Sequence, residues 1–172
     1  NKVAVLGGGV MGSGIVHPLL KEGFEVMLWD INDAAIEKGV ASVRETFAYP
    51  IKKKKMTPAD LDDLIKNKLT TTTALKDLKD VDLVIEAVLE DMKIKMDIWK
   101  QLDVICQPVA IFATNTSALP ITDIAKSLTD PGRMIGMHFF NPADRMQLLE
   151  VICAEKTSNL TLATSVAFCR NI

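Results

Sequence analysis

A strand that runs straight into three glycines limits this chain more than any other feature. After Lys2 the residues of KVAVL at 2–6 are all apolar, and Val3 and Val5 are β-branched. They lead into GGGVMG, where Gly7, Gly9 and Gly12 stand at the G-x-G-x-x-G spacing. A helical pattern follows, then a second apolar run, EVMLW, that ends on Asp30, eighteen residues beyond Gly12. The spacing alone is a weak signal. With a strand before it, a helix after it and an acidic residue at the next strand end, it becomes a dinucleotide-binding turn. Gly7 permits the tight turn, Gly9 lets the backbone approach a pyrophosphate, and Gly12 lets helix and strand pack closely. Gly8, Val10 and Met11 complete the turn, whose helix N-terminus favours negative charge. Asp30 would accept hydrogen bonds from ribose hydroxyls and repel a phosphate placed on them, so NAD is expected rather than NADP. The bland alternative is a glycine-rich turn beside a surface aspartate.

Beyond the turn, short apolar runs alternate with longer helical patterns, the signature of a mostly parallel sheet with helices on its faces. KVAVL, EVMLW, LVIEAV and AIFAT read as strands, with MIGMHF and LLEVIC as later ones. Helices are predicted over 10–22, 34–47, 58–67 and 92–105. The expected fold is α/β, a Rossmann-type doubly wound sheet with a helical insertion after the second strand. No repeat or linker interrupts it, so residues 1–172 are read as one NAD-binding domain. Two oddities lie in the first helix: Pro18 should kink or loosen the turn before it, and His17 reads as a packing histidine because no carboxylate or nucleophile adjoins it in sequence. The chain starts at Asn1 with a strand at once and stops on the helical stretch TLATSVAFCRNI, as an excised piece of a longer protein would.

The formal net charge of −2 gives no overall reason to expect nucleic acid or a membrane surface as partner. No apolar run approaches membrane-spanning length and no signal core is present. Cys106, Cys153 and Cys169 lack any CxxC or Cys/His ligand spacing, so they are read as reduced core thiols, and no metal site is expected. A cytoplasmic setting is expected; the alternative is an organelle reached through a leader since removed.

KVAVLGGGVMGSGI, VIEAVLEDMKIK, ATNTSALPI and GMHFFNPADRMQLLEVI together resemble the NAD-binding domain of the L-3-hydroxyacyl-CoA dehydrogenase family, over essentially the whole chain. Within the last block, NPADRM is closer to the dehydrogenase part of multifunctional fatty-acid oxidation enzymes than to the short mitochondrial form. The resemblance implies NAD-dependent interconversion of 3-hydroxyacyl-CoA and 3-ketoacyl-CoA. Oxidising a secondary alcohol requires a base for the hydroxyl proton, and neutral imidazole suits that near neutral pH. His138 is the one histidine in the sheet-end region, and Glu150 could fix its tautomer and stabilise the imidazolium. The family has a catalytic His-Glu pair at this same separation. The competing reading is a buried ion pair held for structure.

Other positions carry over by motif. The resemblance implies that Ser117 hydrogen-bonds the substrate oxygen beside the nicotinamide, that Asn115 lies at the cofactor, and that Asn141 reaches cofactor and substrate. A helix cap ahead of ALPITDIA is the rival role for the NTS triplet. Glu90 and Lys95 match positions near the nicotinamide ribose, whereas Glu86 is read as structural. Lys53, within the KKKK run, and Thr46 match a helical arm that grips coenzyme A, although Pro50 between them interrupts that arm. The run is equally readable as a solvated face. Family members continue into a helical domain that supplies dimer contacts and one wall of the acyl pocket, so a homodimer is implied for the full protein. Two rivals stand beside this reading: an NAD enzyme for another small hydroxy acid, and a non-catalytic cofactor binder like the lens crystallin of this family.

Overall fold

A computed structural model describes residues 2–172. The apolar runs form strands β1 (Lys2–Leu6), β2 (Glu25–Trp29), β3 (Leu69–Thr72), β4 (Leu83–Glu86), β5 (Ile111–Thr114), β6 (Met134–Phe139) and β7 (Leu149–Cys153). They make one sheet in the order β3-β2-β1-β4-β5-β6-β7, parallel from β3 through β6, with β7 antiparallel at the edge. The helices are α1 (Val10–Lys21), α2 (Asp33–Thr46), α3 (Ala48–Lys52), α4 (Pro58–Lys68), α5 (Met92–Ile105), α6 (Ile121–Ala125) and α7 (Asn159–Cys169).

Strand β1 explains why both faces are covered. Its side chains alternate, and Val3 and Val5 join a core with Ile15, Leu19 and Val43, while Ala4 and Leu6 join a second core with Trp99, Leu102 and Phe112. The chain builds β2 and β3 on one side of β1 and then crosses to place β4 on the other. That reversal opens a crevice at the carboxyl ends of β1 and β4, where open α/β sheets hold ligands.

The structure departs from the sequence reading in several places. Strand β3, LTTT, was not predicted. Its threonines are polar and mostly exposed, but they are β-branched, and Leu69 pairs with Val26 of β2. Helix α1 runs through Pro18 to Lys21, as its predicted span requires, with Ile15, Leu19 and Leu20 buried. The helical insertion comprises α2, α3 and α4, and the arm is broken. A proline at 50 lacks the N–H that would bond Thr46 and its ring crowds that carbonyl, so α2 stops at Thr46 and Pro50 falls in the first turn of α3. Helix α4 restarts on a capping box between Thr57 and Asp60. Cys106 is buried as expected, but Cys153 is exposed, because β7 is an edge strand with little packed over it.

Candidate functional site

At Gly7 and Gly12 the glycine turn is built by close contacts that no side chain could enter. Gly7 has φ +93°, and a Cβ there would stand 2.7 Å from the Ala87 carbonyl oxygen. A Cβ on Gly12 would fall on the Gly7 carbonyl, which is why helix and strand can meet so closely. Gly9 faces open space, with no heavy atom within 4 Å of where its Cβ would be. It caps α1, whose first turn has no side-chain cap and no acidic residue, so the amides of Val10 and Met11 stay available to an anion. Beside the turn, the Asp30 carboxylate accepts the Gly8 amide at 2.7 Å through Oδ2 and the Ile31 amide at 2.7 Å through Oδ1. Asp30 therefore shapes the turn as well as facing the crevice.

A groove of about 370 Å³ runs from Gly7 and Gly9 past Asp30 onto an apolar shelf that includes Ile31, Leu89 and Ile94. Ile31 is 75% and Leu89 71% exposed, an unusual placement for such side chains unless a flat apolar group covers them. Bare helix amides, an acidic strand end and an apolar shelf fit the pyrophosphate, ribose and base of a dinucleotide in that order.

On the other side of β1, Glu86 ends β4 at 0% exposure and Lys95 is 1% exposed, with Lys95 Nζ 2.5 Å from Glu86 Oε1 and 3.1 Å from Glu90 Oε2. Thr114 Oγ1 donates to Glu86 Oε2 at 2.7 Å, the Val88 amide donates to Glu86 Oε1 at 2.9 Å, and the Thr116 hydroxyl donates to Glu90. Burial opposes ionisation of Glu90, yet Thr116 and Lys95 outweigh it and hold the carboxyl below its ordinary range. Glu86, read from sequence as structural, is the sealed counter-ion of Lys95. The roles of Thr114 and Thr116 had no sequence signal, since threonines at strand ends are unremarkable.

The third part of the site lies at the ends of β5 and β6. Asn115 Oδ1 accepts the Phe139 amide at 2.8 Å and so ties β5 to β6. His138 Nδ1 lies 2.8 Å from Glu150 Oε2, and the two residues are register partners across β6 and β7. The pair is not sealed in the core: the His138 side chain is 20% and the Glu150 side chain 50% exposed. Thr116 accepts the Leu119 amide at 3.0 Å and takes the local turn role, whereas α6 is preceded by Pro120. Ser117 and Asn141 are exposed, with no side-chain hydrogen bond within the described residues.

Thr46 and Lys53 are not joined to this cluster by any hydrogen bond or ion pair among the described residues. Thr46 Oγ1 donates to the Val43 carbonyl at 2.7 Å, which leaves its oxygen to accept from His17 Nδ1 at 2.9 Å. His17 is buried against the Phe47 ring, so it is the packing histidine expected. Lys53 follows α3 and reaches over the Tyr49 ring. Among the described residues no group of His, Cys, Asp and Glu could hold a metal ion, and no helix is long and apolar enough to cross a membrane.

Known proteins share both the sequence and this geometry. Residues 2–172 match the family described as 3-hydroxyacyl-CoA dehydrogenase, NAD binding domain. The chain is 43% identical to the fatty acid oxidation complex subunit alpha of Shewanella loihica, with 99% of this chain and 24% of that protein covered. It is also 43% identical to the 3-hydroxybutyryl-CoA dehydrogenase of Clostridioides difficile, with 99% of this chain and 60% of that protein covered. The equal identities do not separate the multifunctional type from the stand-alone type. The crystal structure of (S)-3-hydroxybutyryl-CoA dehydrogenase from Ralstonia eutropha superposes with a TM-score of 0.94 at 40% identity, covering 99% of this chain and 60% of that one. The chain thus spans between about a quarter and three fifths of the length of these relatives. With the glycine turn, the acidic strand end and the doubly wound sheet all in place, and a family match over the described length, the chain belongs to the NAD-binding domains of the 3-hydroxyacyl-CoA dehydrogenase family.

Proposed function

We propose that this chain is the cofactor-binding and proton-transfer part of an NAD-dependent dehydrogenase that oxidises L-3-hydroxyacyl-CoA to 3-ketoacyl-CoA. The observation that carries the reading is the His138–Glu150 pair, placed at the carboxyl end of β6 and aligned by strand register at 2.8 Å. With Nδ1–H donating to Glu150, the His138 Nε2 lone pair is left to accept the substrate hydroxyl proton. Glu150 then stabilises the imidazolium without itself taking the proton. Ser117 and Asn141 have free polar side chains to hold the substrate oxygen. NAD, when bound, accepts the hydride from the same carbon. Gly7, Gly8, Gly9, Val10, Met11 and Gly12 hold its pyrophosphate, Asp30 its adenosine ribose, and Glu90 the ribose nearer the reacting ring. Lys53 and Thr46 lie on the broken arm, where a coenzyme A phosphate and its linker would run.

The acyl pocket is completed, in this reading, by a helical domain outside the chain, and the whole protein is a dimer. Relatives longer than this chain support that division. The test uses the intact protein with NADH and acetoacetyl-CoA, followed by loss of reduced-cofactor absorbance. Turnover of the thioester but not of free acetoacetate is expected. Turnover of the free acid alone would assign a different hydroxy acid, and cofactor binding without any turnover would leave a non-catalytic binder. The isolated chain should bind NAD with negligible turnover, since half of the positioning surface is elsewhere.

A further inference from the structure

His17 is a buried titratable group that the proton-transfer chemistry leaves unused. It is 7% exposed on α1, where a hydrocarbon side chain would fill the same space without taking two ring nitrogens out of water. One bond offsets that penalty. Nδ1 lies 2.9 Å from Thr46 Oγ1, whose own proton goes to the Val43 carbonyl, so the imidazole is the donor. Thr46 is the last residue of α2, and Phe47, the residue between α2 and α3, lies against the same imidazole with ring centroids 4.1 Å apart. His17 therefore holds the insertion at its break. The Arg44–Asp62 ion pair ties α2 to α4, but both helices belong to the insertion and the pair is exposed, so it does not set the angle between the insertion and α1.

The same helix meets a second segment beside this one. Gly14 stands three residues before His17, and so on the same side of α1, and a Cβ on Gly14 would come within 3.1 Å of the Ala143 Cβ. The loop between β6 and β7 thus rests on α1 next to His17. Asp144, which follows Ala143, has a side chain only 11% exposed, and its charge acts on the imidazole. Asn141 belongs to this loop. A substrate with its reacting carbon at His138 and Asn141 and its long tail on the insertion has to span both segments, and His17 is where they meet. We infer that His17 is a positioning residue for the coenzyme A end of the substrate: by its bond to Thr46 and its contact with Phe47 it fixes the angle at which the broken arm leaves α1, and hence the distance from the arm to the loop that carries Asn141. The inference rests on the reading of the arm as the seat of coenzyme A and adds what aims that arm.

The experiment compares two thioesters on the intact protein with NADH: acetoacetyl-CoA, and the acetoacetyl thioester of N-acetylcysteamine, which keeps the reacting group but is too short to reach the arm. His17→Leu should raise KM for acetoacetyl-CoA by roughly three- to tenfold, the usual worth of one neutral hydrogen bond. KM for the short thioester, KM for NADH and kcat at saturation should stay nearly unaltered. His17→Gln, whose amide N–H can still donate to Thr46, should keep KM for acetoacetyl-CoA near that of the unaltered protein. His17→Met, which is flexible enough to fill the site, is the second variant should the leucine disturb folding, and the pattern expected of it is that of leucine. An equal rise for both thioesters, or a matching rise for NADH, would overturn the inference in favour of a general role in packing α1. Unchanged KM for acetoacetyl-CoA in a folded variant, or a glutamine variant no better than leucine, would overturn it with the reading of the arm intact. Equal KM values for the two thioesters in the unaltered protein would instead remove the reading of the arm on which it rests.

Discussion

His138 and Glu150 are twelve residues apart in sequence and directly opposed in space, Nδ1 to Oε2 at 2.8 Å, because the chain turns back on itself and β7 pairs antiparallel with β6. A one-residue slip in that register would send Glu150 to the opposite face and leave the imidazole without its partner. The pairing therefore depends on the edge strand as much as on either residue.

Replacing His138 by Ala or Glu150 by Gln in the intact enzyme should lower kcat by roughly two to four orders of magnitude, with NAD affinity nearly unchanged. If the two act as a unit, as proposed, the double variant should be little worse than the poorer single one. Steady-state kinetics with calorimetry on each variant checks this, and ordinary turnover by Glu150→Gln would reduce the glutamate to packing.

Asp30 is expected to make NAD bind much more tightly than NADP, since its charge opposes a 2′-phosphate. The same carboxylate holds the amides of Gly8 and Ile31. Asp30→Ala should consequently narrow the gap between the two cofactors and also weaken NAD, whereas a residue that only faced the ribose would leave the turn undisturbed. Titration of both cofactors into both proteins decides between these outcomes, and equal affinities in the unaltered protein would remove the selective role.

Gly12→Ala places a methyl group on the Gly7 carbonyl, and neither backbone can retreat while α1 is packed on β1. The expected result is a loss of about 1–3 kcal/mol in denaturant unfolding together with loss of NAD binding. Gly9→Ala meets no atom within 4 Å, so its stability should be preserved while the pyrophosphate seat is obstructed.

His17 supplies a stability prediction with a definite sign. Burial holds its pKa below the ordinary 6.5; nearby Asp144 only partly offsets this and Lys21 adds to it. Above that value the ring is neutral in both folded and unfolded chains and contributes no pH dependence. As pH falls through it, the unfolded chain takes up a proton that the folded one resists, so stability declines until the lower folded pKa is reached. Melting temperatures recorded from about pH 8 down to about pH 5.5 should fall less steeply for His17→Gln than for the unaltered protein. Parallel curves would mean that other groups govern the acid side.

Much of the cofactor half was legible in the sequence because its signals are local. A glycine turn, the helix that must follow it and an acidic strand end all lie within the first thirty residues, and backbone sterics require the glycines there. The strands were legible for the same reason, apart from β3, whose threonines pair with β2 but do not look like a buried run. The positions of His138 and Glu150 were also readable as a pair, since a lone histidine near a strand end needs a partner.

What the sequence by itself determined is therefore the doubly wound plan and the preference for an anion at the start of α1, both consequences of periodicity and glycine sterics within short windows. Only the tertiary structure decided which groups complete the site. The Glu86–Lys95–Glu90 network with Thr114 and Thr116 gathers residues from the ends of two strands and the start of a helix, with bonded pairs up to 28 positions apart, and the Asn115–Phe139 bond spans 24. Their chemistry depends on burial and on which strand lies beside which. A lysine reads as a surface charge until the packing of α5 on the sheet removes its water, and from then on it must be paired with a carboxylate.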